Sequence, residues 1–268
     1  MIINDKYKVS TIINKGSFGL VANGYKITNN KEVIIKFDTS EINLIKHESF
    51  ILNYLNSKKV LFIPNVLYYG LYKDNPCLII PKYDCDLNQL INNNNLSCKQ
   101  SLIIIKKVFT ILLNIHENFI IHRDLKPDNI MLYNNNVYLI DFGLSCFYLD
   151  GDGNHIKNNT ISSIIGSFNY CSFNIHNKNT PSRRDDIISV FYIFIFLLFG
   201  KLPWSSDTPN FLLRKSHKYI KELLSNHELN SFLISFSNYI FDIEFSQEPF
   251  YQNILDSIDN CILNVKTI

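Results

Sequence analysis

One polar stretch decides how this 268-residue chain is interpreted, and it reads His122-Arg123-Asp124-Leu125-Lys126-Pro127-Asp128-Asn129. It lies between a long apolar-periodic segment and two short apolar runs, a context that predicts a loop. A surface loop can contain several of these residue types by chance, but this ordered set is far more specific. This segment is therefore the candidate functional loop.

The residues after this loop predict a metal site. Two apolar runs, 130–133 and 137–140, are joined by Asn134-Asn135-Asn136, a pattern typical of a β-hairpin. Asn129 precedes the first run and Asp141 follows the second, so in an antiparallel pair they lie side by side at the open end. An amide oxygen and a carboxylate placed there suit Mg²⁺ held together with triphosphate oxygens.

A lysine and a glutamate earlier in the chain are predicted to form an ion pair. Lys36 lies near the end of the third predicted strand. Glu48 lies four residues after Leu44 and four before Leu52, on the apolar stripe of the next predicted helix. A carboxylate on a buried face is costly unless it is paired, and Lys36 is the obvious partner. Two unrelated charges remain the alternative.

A glycine-containing segment links the first two predicted strands. Its residues are Ile13, Asn14, Lys15, Gly16, Ser17, Phe18, Gly19, Leu20 and Val21. Glycines allow backbone N–H groups to approach phosphate oxygens, although ordinary hairpin turns also contain them. Asn14 replaces the first glycine of the phosphate-binding pattern Gly-x-Gly-x-x-Gly, and Asn tolerates unusual backbone angles better than most residues.

Hydrophobic periodicity predicts an α+β fold with two parts. Strands are expected at 7–14, 20–27, 32–38, 66–69 and 77–80, with a helix beginning after the cap-forming Thr39-Ser40. After Asp84 the pattern is mostly helical, around 99–118, 186–199 and 229–242. We place the boundary between a β-rich part, 1–83, and a helical part, 84–268.

Composition excludes several classes of protein. A net charge of +2 does not by itself indicate a nucleic-acid-binding protein, and no Cys-x-x-Cys pair occurs among the six cysteines. The N-terminus lacks the apolar run of a secretory signal, and the apolar stretch 187–199, interrupted by Ser189, is short enough to favour a core helix over a membrane span. We expect a monomeric intracellular protein, in cytoplasm or nucleus, that binds neither membranes nor nucleic acids.

Along nearly its whole length the chain resembles a protein kinase, with features similar to the casein kinase 1 family. Asp141-Phe142-Gly143 is similar to the metal-binding motif of protein kinases, and the polar loop is similar to their catalytic loop. The casein kinase 1 features are Lys46-His47-Glu48-Ser49, Ile63-Pro64-Asn65-Val66, Ser172-Phe173-Asn174, Ser182-Arg183-Arg184-Asp185-Asp186 and Gly200-Lys201-Leu202-Pro203-Trp204.

This resemblance implies the two-lobed kinase fold and transfer of the ATP γ-phosphate to serine or threonine of protein substrates, with ATP and Mg²⁺ as cofactors. Asp124 would orient the substrate hydroxyl and accept its proton, and Lys126 would contact the γ-phosphate. Lys36, held by Glu48, would bind the α- and β-phosphates. Around adenine, the resemblance implies Ile80, the backbone near Pro81 and Tyr83, and the side chains Ile13, Val21 and Met131.

The resemblance also implies an anion site for acidic or phosphorylated substrate residues, formed by Arg183 with Arg184 beside it. The alternative is that these arginines pair with nearby acids such as Asp185. Asn169 stands where the family has another arginine, which predicts a weaker acidic preference than is usual in the family.

Two other functions remain open from the sequence. One is a pseudokinase scaffold that binds partners without catalysis, and the other is a kinase of small molecules. The first is disfavoured because the chain carries Lys36, Glu48, Asp124, Asn129 and Asp141. The second is disfavoured by Lys126 and by the segment Ser182-Arg183-Arg184-Asp185-Asp186.

Overall fold

The first part of the chain forms an antiparallel sheet. The computed structural model describes residues 1–16, 19–38, 44–93, 96–204 and 211–265. The six strands are β1 (Ile2–Ile3), β2 (Tyr7–Gly16), β3 (Gly19–Lys26), β4 (Glu32–Phe37), β5 (Tyr68–Tyr72) and β6 (Asn75–Pro81), in the order β1-β2-β3-β4-β6-β5. In β4 the residues Val33, Ile35 and Phe37 are buried, so Ile34 and Lys36 share the opposite face, as period-two alternation requires.

One long helix, α1 (Leu44–Ser57), packs against β6. Its buried stripe is Ile45, Glu48, Ser49, Ile51, Leu52 and Leu55, which confirms that Glu48 lies on the apolar face. The cap expected at Thr39-Ser40 lies outside the described residues.

Strand β5 begins two residues later than the sequence pattern predicts. Its pairing with β6 runs from Tyr68 opposite Ile79 to Tyr72 opposite Asn75. The tip is Lys73-Asp74, with φ of 47° and 67°, the backbone of a two-residue type I′ turn. This turn therefore sets the register between β5 and β6, and the apolar run at 66–69 does not.

The helical part follows. Its helices are α2 (Leu87–Asn93), α3 (Cys98–Glu117), α4 (Phe173–His176), α5 (Arg183–Phe199), α6 (Phe211–Arg214), α7 (His217–Leu224), α8 (Asn230–Asp242) and α9 (Tyr251–Asn264). A capping box between Ser97 and Gln100 starts α3. α5 is buried on nearly every side, which explains why its sequence is almost entirely apolar after the charged first turn. Within the described ranges, no helix has the length and apolar character needed to cross a membrane.

Five short strands complete the helical part: β7 (Cys85–Asp86), β8 (Ile120–Ile121), β9 (Ile130–Tyr133), β10 (Asn136–Leu139) and β11 (Cys146–Phe147). The hairpin predicted after the polar loop is β9–β10. Its turn holds two residues, Asn134 and Asn135, with φ of 48° and 61°, while Asn136 pairs with Tyr133. The predicted three-residue turn was therefore one residue too long, because two left-handed asparagines already close a type I′ turn.

The α+β class is confirmed. The main sheet ends at Pro81, and the helices that follow begin at Leu87. One buried cluster nevertheless joins the two parts, from Leu52 on α1 to Phe109 on α3 and Phe191 on α5. The boundary at residue 84 therefore stays a prediction.

Candidate active site

A buried carboxylate on α5 fixes the polar loop. Asp186 accepts hydrogen bonds from the backbone N–H groups of His122 at 2.7 Å and Arg123 at 2.9 Å. His116 Nε2 lies 3.0 Å from the same carboxylate, and burial lowers the pKa of this imidazole. Arg123 has a φ of 70°, a left-handed conformation that these contacts stabilise. Sequence reasoning assigned no role to Asp186, although an acid in the first turn of an otherwise apolar helix is a usable signal.

Asp124 is held by three side chains. Ser167 Oγ donates to Oδ1 at 2.6 Å, Asn129 Nδ2 donates to Oδ2 at 3.1 Å, and Lys126 Nζ lies 3.0 Å from Oδ2. The side chain is only 10% exposed, yet it lines a cavity. A carboxylate held in this way has a fixed orientation and is available to accept a proton from a group in that cavity. The contact with Ser167 was not predicted from the sequence.

Ser167 reaches Asp124 because the preceding glycine allows a close backbone approach. Gly166 has a φ of 88°, and a Cβ there would lie 2.2 Å from the carbonyl oxygen of Arg123. Any other residue at this position would therefore push the two segments apart.

The β9–β10 hairpin brings the predicted metal ligands to one end. The N–H of Ile140 donates to the carbonyl of Asn129 at 2.9 Å, so Asp141 is the next residue beyond that pair. Asn129 Nδ2 also donates to the carbonyl of Asp124 at 2.8 Å, and the amide oxygen is therefore the end suited to a cation. Asp141 has a φ of 66° and a carboxylate that is 44% exposed.

An amide oxygen and a carboxylate fit Mg²⁺ better than a metal ion that is coordinated only by protein side chains. In the part of the chain that the structure describes, no group of three or more His, Cys, Asp or Glu residues is placed to hold a metal ion. Mg²⁺ usually takes one or two protein oxygens and completes its shell with water and phosphate oxygens. Asn129 and Asp141 supply ligands of that kind.

The ion pair expected between Lys36 and Glu48 is present. Lys36 Nζ donates to both Glu48 oxygens, at 2.7 and 2.8 Å, and lies 3.5 Å from Asp141 Oδ1. Burial alone would lower the pKa of Lys36, but the carboxylates of Asp141 and Glu48 outweigh it and raise the pKa. The ammonium in turn holds the pKa of Asp141 below its usual range. Lys36 therefore carries its charge toward the cavity.

The charged side chains of Lys36, Glu48, Asp124, Lys126 and Asp141 line one cavity of about 400 Å³. Its lining residues are Asn14, Gly19, Leu20, Val21, Lys36, Phe37, Leu44, Ile45, Glu48, Asp124, Lys126, Asp141, Gly143 and Leu144. Gly19 has a φ of 149°, and a Cβ there would lie 2.2 Å from the carbonyl oxygen of Phe37. Glycine is therefore required at position 19, which lines the cavity. Asn14 does not adopt a positive φ, so the tolerance of asparagine for such angles is not used there.

A larger cavity of about 800 Å³ is lined by the segment from Pro81 to Asp84 together with Tyr7 and Tyr138. The smaller cavity is the candidate active site, because it is lined by the Lys36 ammonium and by the carboxylates of Asp124 and Asp141.

The structure gives less definition to the predicted adenine pocket. Ile80 is buried opposite Ile34 in the sheet, Met131 is half-buried, and Ile13 is 53% exposed. Val21, one of the side chains predicted to contact adenine, lines the smaller cavity. The side chain of Tyr83, a residue whose backbone was predicted to bond adenine, stacks on Tyr138 with ring centroids 4.5 Å apart.

The glycine-containing segment between β2 and β3 is described only in part. Lys15 is exposed, and Gly16 ends β2 opposite Gly19. Ser17 and Phe18 lie outside the described residues.

The structure argues against the predicted anion site at Arg183 and Arg184. Arg183 is only 9% exposed, its guanidinium lies 4.4 Å from the Tyr148 ring centroid, and it donates to the Ser246 carbonyl at 3.0 Å. Arg184 Nε lies 3.9 Å from Asp185 Oδ2. Both guanidinium groups therefore make internal contacts. Arg184 lies near an acid, as the alternative interpretation expected, whereas the contacts of Arg183 are with an aromatic ring and a backbone carbonyl.

Comparison with known proteins gives one family. Residues 7–258 match the protein kinase domain. The chain is 32% identical to a probable casein kinase I homolog of Encephalitozoon cuniculi, over 94% of this chain and 84% of that protein. It is 29% identical to casein kinase I homolog 2 of Schizosaccharomyces pombe, over 97% of this chain and 63% of that protein, and 27% identical to homolog 3, over 98% and 64%. The chain thus spans a little under two thirds of the two yeast relatives.

Proposed function

Because the chain belongs to the protein kinase family, in its casein kinase I group, we propose that it transfers the γ-phosphate of ATP to serine or threonine hydroxyls of proteins. The observation that carries this proposal is the carboxylate of Asp124, held by Ser167, Asn129 and Lys126 in the cavity that also holds Lys36 and Asp141.

Each of these residues has a physical role in the proposed transfer. Asp124 orients the substrate hydroxyl and accepts its proton as the new P–O bond forms. Lys126 Nζ, 3.0 Å from Asp124, places a positive charge where the γ-phosphate must pass between donor and acceptor. Lys36, fixed by Glu48, binds the α- and β-phosphates. Mg²⁺, held by Asp141 and Asn129, would neutralise charge on the phosphate oxygens.

We further propose that the nucleotide base lies toward the segment after β6. The backbone N–H of Lys82 donates to Glu32, and that of Asp84 donates to Leu132. Within the described residues, the N–H of Tyr83 between them makes no such bond, which leaves a donor for adenine. Ile80, Ile13, Val21 and Met131 would then contact the ring, and the boundary near residue 84 would separate the two lobes.

The alternative functions are not favoured. A scaffold without catalysis has no need for a carboxylate oriented by three side chains. It also has no need for a Lys36–Glu48 ion pair that is joined by two hydrogen bonds and lies beside Asp141. A small-molecule kinase is disfavoured by the similarity to casein kinase I homologs along almost the whole chain.

A single labelling assay tests the proposal. The purified chain is incubated with γ-³²P-labelled ATP, Mg²⁺ and casein, and the labelled protein is hydrolysed for phosphoamino-acid analysis. We expect label on phosphoserine or phosphothreonine. Nucleotide binding without transfer would indicate the scaffold, and ATP consumption with label only on a small acceptor would indicate the third function.

We also propose that the protein acts as a monomer inside cells. All six cysteines are free thiols, which is the usual state in a reducing compartment, where ATP is also abundant. Sedimentation of the purified chain tests the oligomeric state.

We predict activity without phosphorylation of the segment that follows Gly143. The catalytic-loop cation that would receive such a phosphate is Arg123, and its Nε already donates to the Leu144 carbonyl at 2.5 Å. The Ser167–Asp124 bond is likewise made without a phosphate. Protein produced in bacteria and treated with phosphatase should therefore keep its casein-labelling rate within about twofold.

The matched control removes the hydroxyls of Thr160, Ser162 and Ser163 together by substitution with alanine. This triple variant should be as active as the wild type. Loss of activity after phosphatase treatment, with recovery on adding an upstream kinase, would contradict the prediction.

A further inference from the structure

An unusual buried lysine lies beside the active site. Lys215, between α6 and α7, has no exposed surface. Its Nζ donates to the carbonyl oxygens of Cys171 at 2.5 Å and Phe168 at 3.1 Å, and lies 3.1 Å from His176 Nε2. The Tyr192 ring centroid is 5.0 Å away. Among the described residues, the hydrogen-bond partners of Lys215 thus include no carboxylate.

This arrangement is costly for a residue that only fills the core. Burying an ammonium without a counter-charge costs free energy, and burial lowers the pKa of Lys215 to about 7. An apolar side chain of similar length would fill the same space without this penalty. The contacts that Lys215 makes are therefore the better explanation of its presence.

Those contacts fix one short segment, residues 167–171. Lys215 binds the carbonyls of Phe168 and Cys171, and Trp204 Nε1 donates to the carbonyl of Asn169 at 2.9 Å. On the opposite side, Ser167 Oγ donates to Asp124 at 2.6 Å. The segment is therefore held between the catalytic loop and the Lys215–Trp204 pair.

The same segment also faces solvent next to Asp124. Phe168 is 43% exposed, although it belongs to the segment whose carbonyls Lys215 holds. A substrate hydroxyl must come within hydrogen-bond distance of Asp124, so the chain that carries it must pass near this surface. Small displacements of the segment would change how that chain fits.

We infer that Lys215 is a positioning residue for the protein substrate, which acts by fixing residues 167–171 against Asp124. It therefore governs affinity for the peptide and not for the nucleotide. This inference rests on the proposed kinase function.

Lys215 is also the group of this cluster that changes charge near neutral pH. Burial lowers the pKa of His176, on α4, to about 4 and raises that of the Cys171 thiol to about 11. Burial likewise raises the pKa of Tyr192 on α5. These three groups stay neutral between pH 6 and 9, whereas Lys215 loses its proton as the pH rises through about 7.

The effects of pH on peptide affinity and on stability have opposite signs. Deprotonation removes the charge and one donor from Lys215, so the peptide KM should rise with pH. Between pH 7 and the ordinary lysine pKa of 10.5, however, the unfolded chain binds the extra proton, so this group makes folding more favourable as the pH rises. A general loss of structure cannot produce both changes.

The test compares Lys215→Met with Lys201→Met, a matched change at an exposed lysine. For Lys215→Met we expect the peptide KM to rise by about tenfold, with nucleotide affinity within about twofold of wild type. The wild-type peptide KM should be higher at pH 8.5 than at pH 6.5, and the variant should lack this difference. Amides of residues 167–171 should exchange hydrogen faster in Lys215→Met than in Lys201→Met.

Each outcome separates this inference from the proposed function. Normal peptide KM and normal exchange protection in a folded Lys215→Met protein would overturn the inference alone. An inactive wild type would overturn the proposed function, while hydrogen exchange would still decide whether Lys215 holds the segment. If Lys215→Met does not fold, Trp204→Phe removes the bond to Asn169 and should raise the peptide KM by about threefold; an unchanged KM there would count against the inference.

Discussion

Asp124→Asn is expected to lower turnover by about 10²- to 10⁴-fold while nucleotide affinity stays close to that of the wild type. An amide cannot accept the proton of the substrate hydroxyl. It can still accept a hydrogen bond from Lys126 or Asn129 through its oxygen and donate to Ser167, so the loop should keep its shape. Steady-state turnover on a peptide and nucleotide binding by calorimetry measure the two quantities separately.

The chain provides a matched control in the same loop. Asp128→Asn makes the identical chemical change four residues away, at an exposed side chain. Its turnover should remain within about twofold of wild type, as for most surface substitutions. Near-normal turnover in Asp124→Asn would remove Asp124 from the catalytic role, and an equal loss in both variants would point to general disruption of the loop.

The arrangement of Lys36, Glu48, Asn129 and Asp141 was predictable because local rules determine it. Glu48 interrupts an apolar stripe at helical spacing, so its burial and its need for a cation follow from the sequence, and Lys36 satisfies that need. The hairpin places Asn129 and Asp141 at one end through strand pairing alone. The one-residue error in its turn arose because two consecutive left-handed asparagines are not visible in a hydrophobic pattern.

The contacts that support the site depend on distant parts of the chain, and these were not predicted. Ser167 reaches Asp124 across 43 residues, and Asp186 reaches the His122 backbone across 64. Arg183 shows the same limit, because an arginine can suit an open anion site or an aromatic face. The Tyr148 ring that it contacts was not linked to it by any local pattern. The fold class followed from hydrophobic periodicity, and the charged residues of the site followed from the cost of burying them. The contacts with distant residues that hold these groups in place could be seen only in the tertiary structure.

Asp141→Ala is expected to abolish phosphotransfer at any practical Mg²⁺ concentration. In the proposed metal site Asp141 would supply the carboxylate ligand, and its oxygen also lies 3.5 Å from Lys36. Glu48 still holds Lys36 in this variant through two hydrogen bonds, so the loss should reflect the metal site and not a displaced lysine. Asp152→Ala, at an exposed position, is the matched control and should leave activity unchanged within about twofold.

Asn129→Ala should instead be partly rescued by Mg²⁺, because one protein ligand and the phosphate oxygens remain. The rescue should be incomplete, since Asn129 Nδ2 also donates to the Asp124 carbonyl at 2.8 Å and to its carboxylate at 3.1 Å. Ser167→Ala separates the two effects, because it removes a hydrogen bond to Asp124 without removing a metal ligand. We therefore expect the Mg²⁺ concentration for half-maximal activity to increase in Asn129→Ala and to stay at the wild-type value in Ser167→Ala, while maximal turnover falls in both. Superimposable Mg²⁺ titrations for wild type and Asn129→Ala would rule out Asn129 as a ligand.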